Sequence, residues 1–193
     1  MTPRSLIALS ILGVALATVG YAKWSSSRYP LSPLPAVGSP LPSFQFQTVA
    51  GNNVSPASLL GAPAVLVLWS TTCPASVQAL QGVQQLYADY HNRGVHVLIV
   101  ADDEEARIRT FADSARLDVP IAVADGRAYL LGDPSARMSL TATMGLPSVL
   151  VTDTQGRVVL RTLGVAQHGS PVNGAPFRAI RAALDSMLMA RSR

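Results

Sequence analysis

The sequence predicts an α/β protein: a mixed central sheet flanked by helices and preceded by an N-terminal transmembrane helix. Three observations carry this expectation. Of 193 residues, 49% are apolar and only 13% charged, which suits a packed core and excludes a disordered chain or a long coiled coil. Short continuous apolar runs alternate with stretches of helical apolar spacing. Ser5 to Ala22 carries no charge, and at helical rise a segment of that length spans about 27 Å, close to the hydrocarbon thickness of a bilayer.

Residues 1–23 therefore read as a signal-anchor, with Arg4 before the apolar run, Lys23 after it, and Trp24 and Tyr29 where amphipathic rings favour the interface. Gly20-Tyr21-Ala22 also offers the small residues of a signal-peptidase site, so a cleaved leader is the rival reading. The expected location is a single-pass protein of the cell (inner) membrane, its soluble domain in the periplasm or another extracytoplasmic space. Residues 24–43, with the run Ser25-Ser26-Ser27 and then Pro30, Pro33, Pro35, Pro40 and Pro42, predict an extended, hydrated linker. Residues 44–193 form the remaining domain.

Phe44 to Val49 alternates with period two and predicts a half-buried strand. Ala64 to Trp69 is uninterruptedly apolar and predicts a buried central strand. Pro74 suits the first position of a helix, Val77, Leu80, Val83, Leu86, Tyr87 and Tyr90 supply its apolar face, and Gly94 stops it. Val95 to Ala101 is a second buried strand. Asp102 or Asp103 is placed to cap the next helix, with pairs Asp103–Arg107 and Glu105–Arg109 and a buried stripe of Ile108, Phe111, Ala112 and Ala115. Ile121 to Ala124 predicts a short strand. Ser148 to Thr152, a turn at 153–156, and Val158 to Leu163 predict a hairpin. Phe177, Ile180, Leu184, Met187 and Leu188 share one face of a closing helix.

Charge excludes one class of partner. The formal charge is +4, but Arg4, Lys23 and Arg28 precede residue 30, leaving twelve basic against eleven acidic residues beyond it. No globular segment has the basic footprint of a nucleic-acid binder. A single cysteine excludes an internal disulfide framework and a cysteine zinc cage. His91, His96 and His168 lack ligand spacing, and no glycine motif cradles a phosphate, so the expectation is no metal and no cofactor.

The chemistry centres on Cys73. It follows a buried strand and directly precedes Pro74, which places it at the entry to a helix. A thiol there faces unpaired amide hydrogens and the positive end of the helix dipole, both of which favour thiolate over thiol.

The run Val65-Leu66-Val67-Leu68-Trp69-Ser70-Thr71-Thr72-Cys73-Pro74 resembles the strand and active-site turn of extracytoplasmic thioredoxin-like proteins of the TlpA/ResA/CcmG type, whose pattern ends in Cys-Pro-x-Cys. Gly145-Leu146-Pro147, followed by Ser148 to Thr152, Asp153 and Gly156, is similar to the segment carrying the family's cis-proline. The resemblance implies a thioredoxin-like fold over residues 38–190. It implies that Cys73 is the nucleophile, that Pro147 lies in the loop facing it, and that Leu146 offers backbone groups to an extended substrate. Trp69 and Pro74 would flank that substrate. The implied partner is an extracytoplasmic protein bearing a thiol or disulfide, or a small-molecule thiol, with the membrane engaged through the N-terminal helix.

Ser76 stands where the family has its second cysteine. A hydroxyl cannot resolve a mixed disulfide, so this chain cannot cycle alone as a dithiol enzyme. A monothiol resolved by an outside thiol remains open. So does a redox-inactive binding or assembly module for an extracytoplasmic partner. A peroxiredoxin-like peroxidase is a further alternative: Ser70 fits its pattern, whereas Leu66 and Pro147 stand where it needs Pro and Arg.

Overall fold

The computed structural model describes residues 34–124, 147–162 and 174–191. The apolar N-terminal segment, Leu146, Leu163 and His168 lie outside them. In chain order the strands and helices are β1 (Phe46–Thr48), β2 (Asn53–Val54), β3 (Ala64–Trp69), α1 (Pro74–Tyr90), β4 (His96–Ala101), α2 (Glu105–Ala115), β5 (Ile121–Val123), β6 (Ser148–Thr152), β7 (Val158–Thr162) and α3 (Ala175–Arg191). The sheet order is β2-β1-β5-β4-β3-β6-β7. Strands β3, β4 and β5 run parallel, and β6, β7, β1 and β2 add antiparallel edges.

Every residue of β3 is buried, as its unbroken apolar run demands of a strand covered on both faces. Val65, Val67 and Trp69 point into a core shared with Leu80, Val83 and Leu86 of α1, Ile108 of α2, and Phe177, Ile180 and Leu184 of α3. Ala64, Leu66 and Leu68 point the other way, against Leu34, Leu41, Phe44, Phe46 and Leu59. Gly94 ends the 3₁₀ turn after α1 with φ +78°, the left-handed conformation that favours glycine.

Several expectations need correction. The second half of the proposed linker is docked on the domain rather than free: Leu34 and Leu41 are 3% and 7% exposed, although the residues between them mostly face solvent. Gly38 N–H donates to Val158 O at 2.7 Å and Val158 N–H to Ser39 O at 2.9 Å. Arg161 and Arg157 bond the carbonyls of Leu34 and Gly38. Strand β7 would otherwise leave an unpaired edge, and burial of the two leucines repays ordering the segment. Strand β2 is too short to leave a periodic signal. Val77 and Ala115 are exposed rather than core-facing; the buried face of α1 centres on Ser76, Ala79, Leu80, Val83, Leu86 and Tyr90. Glu104, not Asp102 or Asp103, occupies the N-cap of α2. Arg107 lies 3.9 Å from Glu104 rather than pairing with Asp103, while Glu105–Arg109 forms as expected.

Polar contacts lace α1 to α3: Asp89 with Arg181, and the 3₁₀-turn residue Arg93 with Asp185 at 3.0 Å. The hydrogen bond from Arg181 holds the Asp89 carboxyl below its usual 3.8, against the opposing effect of burial, and Gln85 adds to the lowering. A depressed native value means stabilisation that is present above the unfolded value and lost as pH falls through the native one. Asp89→Asn is expected to cost about 0.5–1 kcal/mol at pH 7, the range for a partly exposed pair. The difference from wild type closes as urea unfolding is repeated below the ordinary carboxylate range. A gap that persists there places the effect in packing rather than charge.

Candidate active site

Strand β3 delivers the chain at Trp69 into a three-residue turn, Ser70–Thr72, and Cys73 then occupies the N-cap of α1 with φ −94° and ψ +113°. Pro74 follows at the first helical position, where its missing amide hydrogen leaves nothing unsatisfied. Val77 N–H donates to Cys73 O at 3.1 Å, closing the first helical turn. Cys73 is half-buried and packs against the cluster on the Leu66–Leu68 side of the sheet. The first turn of α1 holds no acidic side chain, so nothing within it offsets the positive end of the dipole.

The turn is held by polar groups of which Ser70 and Ser76 are buried and Asp103 half-buried. Ser70 is fully buried; its N–H donates to Ser76 Oγ at 3.4 Å and its hydroxyl donates to Asp103 Oδ1 at 3.2 Å. Thr71 N–H donates to Asp103 Oδ2 at 2.6 Å, and Thr72 N–H to Ser70 Oγ at 3.2 Å. Asp102 N–H donates to Trp69 O at 3.1 Å.

Four of the residues singled out from sequence, Trp69, Cys73, Pro74 and Ser76, therefore sit on one strand-turn-helix junction. Trp69 does not present its ring there: it is 1% exposed and stacks at a tilt on Phe111, ring centroids 5.1 Å apart. A flat apolar ring gains more from that core contact than from solvent, so its indole supports the turn from below. Ser76 is likewise fully enclosed. Pro147 is buried and immediately precedes β6, whose Ser148 is paired with Leu68. Pro147 thus lies at the end of the sheet from which the cysteine turn leaves. Leu146 lies outside the described residues.

Sequence reasoning missed Asp103 as part of this junction. The acidic run 102–105 reads locally as a helix start, and only the parallel register, with Trp69 beside Ala101, carries residue 103 alongside residue 71. Among the described residues no cluster of three His, Cys, Asp or Glu side chains is placed to hold a metal ion.

A family model described as Redoxin matches residues 36–175. The thiol-disulfide oxidoreductase ResA of Halalkalibacterium halodurans is 28% identical over 124 residues, covering 64% of this chain and 70% of that one. The protein of the same description from Bacillus cereus is 25% identical over 130 residues, covering 66% and 70%. Among solved structures, the thioredoxin domain of a thiol-disulfide oxidoreductase from Bacteroides vulgatus superposes with a TM-score of 0.60 at 16% identity, covering 78% of this chain and 99% of that one. A secreted disulfide oxidoreductase of Mycobacterium tuberculosis does so with 0.53 at 18% identity, covering 75% and 96%.

Proposed function

The chain belongs to the redoxin family and has a thioredoxin-like α/β fold, and on that premise we propose that it is a thiol oxidoreductase working through one thiol, Cys73, outside the cytoplasm and tethered by its N-terminal apolar segment. The observation that carries the reading is the position of Cys73, half-exposed at the N-cap of α1, while the residue one turn on is a buried serine. The relatives named thiol-disulfide oxidoreductase support the reaction class.

In this reading the Cys73 thiolate attacks one sulfur of a client disulfide. A Cys73–client disulfide forms, and the client's other sulfur leaves as thiolate. Ser76 offers no thiolate to break that bond, so an external thiol must attack it. If it attacks the client sulfur, Cys73 is released and the external thiol becomes disulfide-bonded to the client. No net oxidation of the chain accompanies the cycle. Pro147, at the same end of the sheet, would line the bed for the client backbone.

The absence of any resolving cysteine in the chain favours a second reading, a module that holds an extracytoplasmic partner without covalent chemistry. One experiment separates them. Cells expressing the intact chain, quenched in acid and alkylated, are expected to yield reductant-sensitive adducts on non-reducing gels that disappear in Cys73→Ser. Identical patterns for both proteins, with Cys73 inert to iodoacetamide in the native state, would leave only the binding module.

A further inference from the structure

Asp103 takes no part in the exchange chemistry above, yet it grips the reactive turn from the neighbouring β4–α2 connection. We infer that Asp103 is a positioning residue for Cys73: its carboxylate braces residues 70 and 71 and so fixes where the turn delivers the thiol. The inference rests on the redox reading of Cys73.

Left to itself the turn is loosely closed. Cys73 N–H reaches Ser70 O at 3.4 Å, and Ser70 N–H reaches Ser76 Oγ at 3.4 Å, both at the long limit of a hydrogen bond. The bond from Thr71 N–H to Asp103 is 2.6 Å, short as charge-assisted bonds are. A carboxylate is acceptor-only with two oxygens, so one side chain takes both the Thr71 amide and the Ser70 hydroxyl. Ser70 Oγ in turn accepts from Thr72 N–H, which ties the third turn residue to the same brace. Both ends of the brace stand on rigid elements: β3 and β4 pair along six residues, from Ala64 with His96 to Trp69 with Ala101. Asp103 is also not spent on capping α2, since Glu104 holds that position. Among the described residues, the carboxylate of Asp103 is bonded to the turn and neither caps its own helix nor pairs with Arg107.

Disulfide exchange needs the attacking sulfur held in a near-attack orientation, whereas a small alkylating reagent needs only access. The two probes are therefore oxidised glutathione and iodoacetamide, applied to the full chain. In the glutathione reaction Cys73 forms a disulfide with one glutathione, and the other leaves as thiolate, taking up the proton Cys73 released. Asp103→Ala is expected to slow that step about tenfold, a fraction of what misplacement by an ångström costs a reaction, and to change alkylation less than about twofold. Asp103→Asn, which keeps an oxygen for the Thr71 amide, is expected to recover to within about threefold of wild type, and Thr71 hydrogen-exchange protection should follow the same order. Should the Ala variant fail to fold, Ser70→Ala removes one of the two donors and is expected to slow glutathione exchange by about threefold.

A folded Asp103→Ala protein that reacts like wild type with both probes, or a Ser70→Ala protein that does so where the Ala variant is unfolded, overturns the assignment and leaves the redox reading intact. Both rates rising together in the Ala and Asn variants would show a charge effect instead and overturn it too. A wild-type thiol inert to both probes would remove the redox reading, and this inference with it.

Discussion

Ser76→Cys is expected to give the chain a dithiol activity that it lacks. Side chains three residues apart on a helix have Cβ atoms about 5–6 Å apart, near enough for modest backbone adjustment at the helix start to bridge them. Cys73 at the N-cap and residue 76 in the first turn stand in that relation. The serine slot is fully buried, and the bond lost is the long one to Ser70 N–H, so the fold should tolerate the change at a cost below about 1 kcal/mol. The variant should oxidise to an intramolecular disulfide, with no free thiol left to alkylate. It should also accelerate insulin reduction by dithiothreitol, where wild type leaves the background rate unchanged. A folded variant in which both thiols stay alkylatable under mild oxidant would mean that the turn does not present positions 73 and 76 to one another.

Gly82→Ala is expected to destabilise the fold although alanine is the better helix former. Gly82 lies mid-helix in α1 and faces Phe177 of α3; a Cβ there would fall 2.3 Å from Cζ, 2.6 Å from Cε2 and 2.7 Å from Cε1 of the ring. The ring is 1% exposed and part of the core, so it has nowhere to retreat without displacing neighbours. The propensity gain is about 1 kcal/mol. Overpacking of this severity costs about 3 kcal/mol, the upper end of its usual range. Packing wins, and the net loss of about 2 kcal/mol should lower Tm by about 4–8 °C in a domain of this size. Phe177→Leu in the same chain should recover part of the loss, because the two sites share one contact. A Gly82→Ala protein as stable as wild type would show that α1 and α3 are free to separate.

The same two residues mark where sequence legibility ends. Ala64–Trp69 was readable to the residue because a strand buried on both faces leaves no polar position, and Ser148–Thr152 because Pro147 and the turn at 153–156 bound its apolar centre. Cys73 was readable as a helix entry because Pro74 is a local signal. Gly82 by contrast looks like a mild liability in a helix until Phe177, ninety-five residues later, is brought against it. Val77 fits helical spacing and yet is exposed, because no element among the described residues covers that side of the first turn of α1. The proline-rich stretch from Leu34 to Leu41 has the composition of a hydrated linker, and only the edge of β7, with Arg161 on it and Arg157 just before it, converts it into a docked strap.

Local periodicity and punctuation thus determined the order of the strands and helices other than β2, and the residue at the strand-to-helix handover, since each depends on neighbours within one or two turns. That the chain cannot close a disulfide within itself was determined even more simply, by the count of one cysteine. The tertiary structure decided which side chains meet across the sheet: that Trp69 turns into the core, that Pro147 shares an end with Cys73, and that Asp103 braces the turn instead of capping its helix. Parallel register is a long-range property set by packing of whole strands, and no window of local sequence contains it.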